Sequence, residues 1–161
     1  MSSGFLFNVA SPSQKNLGVI KYDDFKFKYS EIYGRNRRPI ETVFVSVHEL
    51  KDSLRPGDII EFKYKLFNHW AIFLGISSDL YIIAHFRVVG PPPSIKHDVF
   101  IEVMDDSRKA RINNICDHDS NKNIRSADEI RSLAMENVFN HKPYNLLCYN
   151  CKDFAKDMRY F

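Results

Sequence analysis

Cys151 stands directly after Asn150, a residue type favoured at helix N-caps. Cys151, Phe154, Ala155 and Met158 then fall at i, i+3, i+4 and i+7, a spacing that predicts a helix with the cysteine in its first turn, on the inward face. Free backbone N–H groups and the positive end of the helix dipole favour a thiolate there. Two histidines are placed to serve it. His69 opens one predicted strand and His85 closes another, and a turn at Ser77, Ser78 and Asp79 would make those strands antiparallel neighbours. The start of one strand then lies beside the end of the next, so the two histidines meet. A thiol, a histidine and a second polar group that orients the first is the set that nucleophilic catalysis requires. The same residues also admit a plain reading: a small core cysteine and two hydrogen-bonded strand histidines. Spacing alone does not choose between them.

The elements that must hold these groups are legible in outline. A chain of 161 residues with 44% hydrophobic and 14% aromatic side chains is long and apolar enough for one domain core, which excludes a disordered chain. No run of eighteen apolar residues occurs, so no membrane-spanning segment is expected. The N-terminus has no basic, apolar leader, so synthesis in the cytosol is expected. Three cysteines, an odd count, argue against a disulfide framework. The net charge of +3 is spread thinly and predicts no general attraction to nucleic acid.

Strand-like runs fill the first two-thirds: 25–29, 42–47, 59–62, 69–74, 80–85 and 99–103, with an Arg55-Pro-Gly-Asp58 turn before the third. Their close spacing predicts an antiparallel sheet joined by hairpins. Pro91-Pro-Pro93 and the polar stretch 113–125 read as loops. Ser126-Ala-Asp-Glu129 is a capping-box pattern, and Ile130, Leu133, Ala134 and Val138 continue it as a helix ending near Asn140, ahead of Pro143.

Other readings use other residues. Cys148 and Cys151 form a C-x-x-C pair, but a thioredoxin-like site belongs in an alternating β/α chain. Cys116, His118, Cys148 and Cys151 could ligate zinc, although Cys116-x-His118 is tightly spaced; no metal and no cofactor is expected. Arg35, Arg37 and Arg38, with Tyr29, Tyr33 and Phe27 nearby, suit RNA phosphates and bases, or a solvated loop beside core strands. The three prolines at 91–93 suit a docking segment or, more simply, a rigid connector.

Arg55-Pro-Gly-Asp-Ile-Ile-Glu-Phe62 followed by Asn68-His-Trp-Ala-Ile-Phe-Leu-Gly75 resembles the opening of the lecithin:retinol acyltransferase-like family, in its H-box/NC group of small phospholipid acyltransferases and phospholipases. An Ile-Ile-Ala-His85 strand, Arg111-Ile-Asn-Asn114, Tyr144-Asn-Leu-Leu, Asn150-Cys151-x-x-Phe154 and Met-Arg-Tyr160 agree in order, so the resemblance covers residues 55–161. It implies an α+β, circularly permuted papain-like fold, an antiparallel sheet packed against C-terminal helices, with residues 1–54 as an N-terminal extension packing on that domain. It also implies Cys151 as nucleophile, His69 as general base and His85 as the group that orients it. The family's reaction passes an acyl group from a lipid ester to the thiolate, and then to water, an amine or an alcohol.

This chain departs from the pattern in three places. Lys152-Asp153 stands where Glu-His usually follows the nucleophile. The segment between the histidines is longer than in the compact cellular members. The sequence ends at Phe161, where those members carry an apolar anchor, so poor access to bilayer substrate is expected. In architecture the chain is similar to picornaviral non-structural 2A proteins of the H-box/NC type, as in parechoviruses and kobuviruses. Those are not proteases of their own polyprotein. That resemblance implies a viral role in genome replication or host interaction in the host cell cytoplasm, with host proteins or viral RNA as partners and a Cys-His site that need not be active.

Overall fold

The runs read as strands assemble into one antiparallel sheet, seen in a computed structural model that describes residues 6–7, 20–21, 25–28, 40–89, 96–140, 143 and 149–161. Arg35, Arg37, Arg38, Cys148 and the prolines at 91–93 lie outside the described residues, as does the Tyr144-Asn-Leu-Leu segment. β1 (Leu6–Phe7) and β2 (Ile20–Lys21) pair as a small ribbon. β3 (Val45–Ser46), β4 (Ile59–Lys63), β5 (Asn68–Ser77), β6 (Leu80–Val89), β7 (Lys96–Val103) and β8 (Lys109–Ile112) form the main sheet, in the order β3-β8-β4-β5-β6-β7.

Both faces of this sheet are covered, which is why its strands read as nearly continuous apolar runs. On one face Ile72, Leu74, Ile82, Ala84, Val99 and Ile101 pack with Ile130 and Ala134 of α2 (Ala127–Asn140) and with Phe154, Ala155 and Met158 of α3 (Cys151–Arg159). On the other, Ile60, Phe62, Ala71, Phe73, Ile83, Ala110 and Ile112 pack with Val47, Leu50, Leu54 and Met104. The β5–β6 turn has positive φ at both Ser78 and Asp79 (49° and 64°), the geometry that matches the twist of a two-residue hairpin.

Local signals place the helices. Ser126 and Glu129 close the expected capping box, with Ser126 N–H donating to Glu129 Oε2 at 2.8 Å and Glu129 N–H to Ser126 Oγ at 3.2 Å. Asn150 caps α3 through the N–H groups of Lys152 and Asp153, and Asp153 takes the Asn150 N–H at 3.1 Å. Asp153, one of the departures after the nucleophile position, thus completes the cap of its own helix.

Two expectations need correcting. The run 42–47 is not one strand: its ladder spans only Val45–Ser46, with Thr42 N–H donating separately to Ile112 C=O at 3.0 Å, and Val47 starts α1 (Val47–Leu50) because Ser46 Oγ accepts the Glu49 N–H at 3.2 Å. A cap followed three residues on by Glu outweighs β-branched propensity here. His85 does not close its strand either, since β6 runs on to Val89. Phe27 bridges Ser77 and Lys28 N–H donates to Ile76 C=O at 3.0 Å, so part of the N-terminal segment lies along the turn end of β5.

Candidate active site

β5 and β6 pair up to Ile72 and Ala84, and the two histidines lie just beyond that point. His69 Nε2 is 2.7 Å from His85 Nδ1, with the rings edge to face. Across β6 and β7, Ile83 faces Glu102 and His85 faces Phe100, so Glu102 sits on the same face as His85, one step along. Its carboxylate takes His85 Nε2, and Arg87 Nε lies 3.0 Å from the same oxygen. Glu102 is only 3% exposed, so its charge is held by these contacts rather than by water.

This chain has a direction. An ionised carboxylate only accepts, so His85 donates from Nε2 and presents Nδ1 as an acceptor. His69 must then donate from Nε2, which leaves its Nδ1 lone pair as the basic end of the relay. Glu102 was not among the residues the sequence suggested. Its one signal there is a lone carboxylate inside the apolar run 99–103.

Cys151 opens α3 and shares a cleft of about 680 Å³ with His69, His85, Trp70, Phe86 and Phe67. That volume is within the range of small-molecule sites, and the aromatic wall suits an acyl chain. The sulfur packs with the helix-side core, whereas His69 stacks on Phe62 of the other face. Among the described residues no hydrogen bond joins Cys151 to His69. Catalytic hydrogen bonds commonly tighten only when substrate binds.

The expected thiolate is not the resting form. Burial pushes the Cys151 thiol above its ordinary value, although backbone N–H groups of Trp70, Lys152 and Cys151 itself act in the opposite direction. Burial, helped by His85 and Arg87, pushes His69 down to about 3. Both groups are therefore neutral near pH 7, and the thiol proton must leave during the reaction. The alkylation rate of Cys151 by iodoacetamide should accordingly keep rising beyond pH 9. A plateau below pH 7 would instead reveal a resting thiolate–imidazolium pair.

Asn68, beside His69 on the cleft wall, donates from Nδ2 to Glu61 Oε1 at 2.7 Å. Burial works against the Glu61 carboxylate, but hydrogen bonds from Asn113, Arg111 and Asn68 outweigh it and hold its pKa low. Lys152, the other departure after the nucleophile position, sits at the cleft with its Nζ 5.1 Å from the Trp70 ring centroid.

Residues 52–161 match the family described as Lecithin retinol acyltransferase. The chain is 28% identical over 120 residues to Phospholipase A and acyltransferase 4 of Homo sapiens, covering 66% of this chain and 70% of that protein. Phospholipase A and acyltransferase 3, from Homo sapiens and from Pongo abelii, is 26% identical over 117 residues with the same coverage.

Proposed function

The chain belongs to the lecithin retinol acyltransferase family, and from that membership and the geometry of its cleft we propose that it transfers or hydrolyses acyl groups of lipid esters through a thioester on Cys151. The observation that carries this reading is the His69–His85 hydrogen bond, backed by Glu102, on the wall of a cleft that also holds a cysteine at a helix N-terminus.

In this mechanism His69 Nδ1 takes the thiol proton as the Cys151 sulfur attacks the ester carbonyl carbon. The positive charge developing on His69 is spread towards His85 and met by the Glu102 carboxylate. Backbone N–H groups that face the sulfur, from Trp70, Cys151 and Lys152, are suited to the charge that builds up beside it. The C–O bond breaks, the leaving alcohol takes the proton back from His69, and the acyl group stays on sulfur. Water, an amine or an alcohol then gives up a proton to His69 and attacks the thioester, the C–S bond breaks to release the acyl product, and the departing sulfur takes that proton back from His69. The neutral resting pair fits this order of events, because no charge has to be stored in a buried cleft before substrate arrives.

The relatives named as phospholipase A and acyltransferase support this chemistry. A narrower reading makes the protein a picornaviral 2A protein that acts in replication or host interaction in the host cytoplasm, with host proteins or RNA as partners. It rests on sequence resemblance alone, and the comparisons favour acyl transfer over it. Treating residues 1–54 as an extension that packs on the domain is part of the same proposal, supported by the bridges of Phe27 to Ser77 and Glu41 to Asn113.

The test is covalent capture. After incubation with a short-chain phosphatidylcholine, the intact protein should gain the mass of one acyl group on Cys151, released by hydroxylamine. Acyl release that continues undiminished in Cys151→Ala would overturn the assignment.

A further inference from the structure

The turn between β4 and β5 carries its apolar side chains outward. Leu66 is 91% exposed and its neighbour Phe67 is 63% exposed, unlike the buried residues on either side of the hairpin. Two adjacent bulky apolar residues this exposed at a hairpin tip are unusual for a surface that meets only water.

The tip is also stiff. Tyr64 N–H donates to Phe67 C=O at 3.1 Å, and the two rings stack at 5.4 Å with only 9° between their planes. The Arg108 guanidinium lies 4.0 Å from the Tyr64 ring centroid. Ordering this segment against a surface therefore costs little further entropy.

Its charge is one-sided. The run Lys63-Tyr-Lys-Leu-Phe-Asn-His-Trp70 contains no acidic residue, and Lys63 and Lys65 are exposed along with Arg108. The acidic side chains near it are Asp105 and Glu102, which share a small cavity wall with Arg108, and Glu61 behind Asn68; Glu102 and Glu61 are buried and lie against Arg87 and Arg111. Finally, the tip is continuous with the cleft, since Phe67 and Tyr64 line the cavity that holds Cys151.

We propose that the β4–β5 hairpin tip seats the mouth of the cleft on an anionic phospholipid surface. Leu66 and Phe67 enter the boundary between headgroups and acyl chains, while Lys63 and Lys65 meet the headgroup phosphates. This is the arrangement by which short amphipathic elements hold to an interface: apolar area for depth, cations for attraction to anionic lipid. It deepens the acyl-lipid reading and rests on it for its biological sense, because it delivers an ester from the bilayer to Phe67 and onward to Cys151. It also changes the expectation of poor bilayer access, which considered only an anchor helix and a polybasic surface.

Cosedimentation with vesicles tests it. The full chain should bind vesicles of phosphatidylcholine mixed with phosphatidylserine more tightly than vesicles of phosphatidylcholine alone, and added salt should weaken the binding by screening. Leu66→Ser should lower the partition coefficient about tenfold, and Lys65→Glu about fivefold or more. Neither residue lines the cleft, so both variants should keep wild-type turnover of a water-soluble short-chain ester. No vesicle binding by the wild type, or binding unchanged in both variants, overturns the proposal. Cys151→Ala separates the two readings. Full vesicle binding with undiminished acyl release from that variant would refute the thioester mechanism and leave the hairpin seat standing.

Discussion

His69→Ala should lower the rate of acyl transfer to Cys151 about a thousandfold, the scale of a general base that has no substitute. The loss should appear in the rate constant for acylation rather than in substrate affinity, because His69 acts on the proton and not on the acyl chain. Since the resting thiol is held above its ordinary pKa by burial, the variant cannot fall back on a standing thiolate, and raising the pH should recover part of the rate. Glu102→Gln provides the graded companion. Its amide oxygen can still accept from His85, so the tautomers survive, but the charge opposite the developing imidazolium is gone. A loss of about tenfold to a hundredfold, smaller than that of His69→Ala, is expected. Full activity in His69→Ala would remove His69 from the mechanism. A Glu102→Gln loss equal to that of His69→Ala would mean that the carboxylate does more than position His85.

The second large effect concerns stability. Arg159 is 1% exposed and forks onto Asp117, with Nε to Oδ1 at 2.9 Å and Nη2 to Oδ2 at 2.6 Å. Its remaining Nη1 donates to Gly57 C=O at 2.6 Å and lies 4.0 Å from Asp58. This side chain ties the last turn of α3 to the Arg55–Asp58 turn more than a hundred residues away in sequence. Glycine at 57 suits the turn that offers this carbonyl: its φ is +93°, and a Cβ there would fall 2.8 Å from Ile130 Cδ1. Arg159→Met keeps most of the apolar stem but leaves Asp117 and the buried Asp58 without their cation, and should cost about 3–5 kcal/mol in urea unfolding. Arg159→Lys restores the charge without the fork and should recover only part of this. A cost below about 1 kcal/mol for Arg159→Met would show that the aspartates find other partners or protonate.

Acid should destabilise the fold for a separate reason. His69 titrates near 3 in the folded chain against an ordinary 6.5, so between those values the unfolded state binds the extra proton and stability rises with pH. Its contribution is complete above about pH 6.5 and fades as the pH falls towards 3.

What could be read in advance divides along physical lines. Features set by neighbours in sequence were visible. The Asn150 cap and the i, i+3, i+4, i+7 pattern placed Cys151 in the first turn of α3, the Ser126–Glu129 box started α2, and the short turn at Ser78 and Asp79 made β5 and β6 antiparallel. That pairing was enough to predict that His69 and His85 would meet. A competing local signal explains the failure at 42–47, where the Ser46 cap cut a β-branched run short.

Features set by register across distant segments were not visible. Glu102 reaches His85 only because β7 pairs with β6 at Ile83–Glu102, and no pattern within either strand records which residue lies opposite. The charge state of the site was equally hidden. A helix N-terminus predicts a stabilised thiolate, yet the depth at which α3 packs on the sheet makes desolvation the larger effect, and depth is a property of the assembled core. Which residues are available for the chemistry, and which local elements carry them, follow from neighbours along the chain. How those residues are joined, in which direction a proton can move along Glu102, His85 and His69, and that the hairpin beside them turns Leu66 and Phe67 outward follow from the packed fold, because each depends on contacts between segments that no local periodicity encodes.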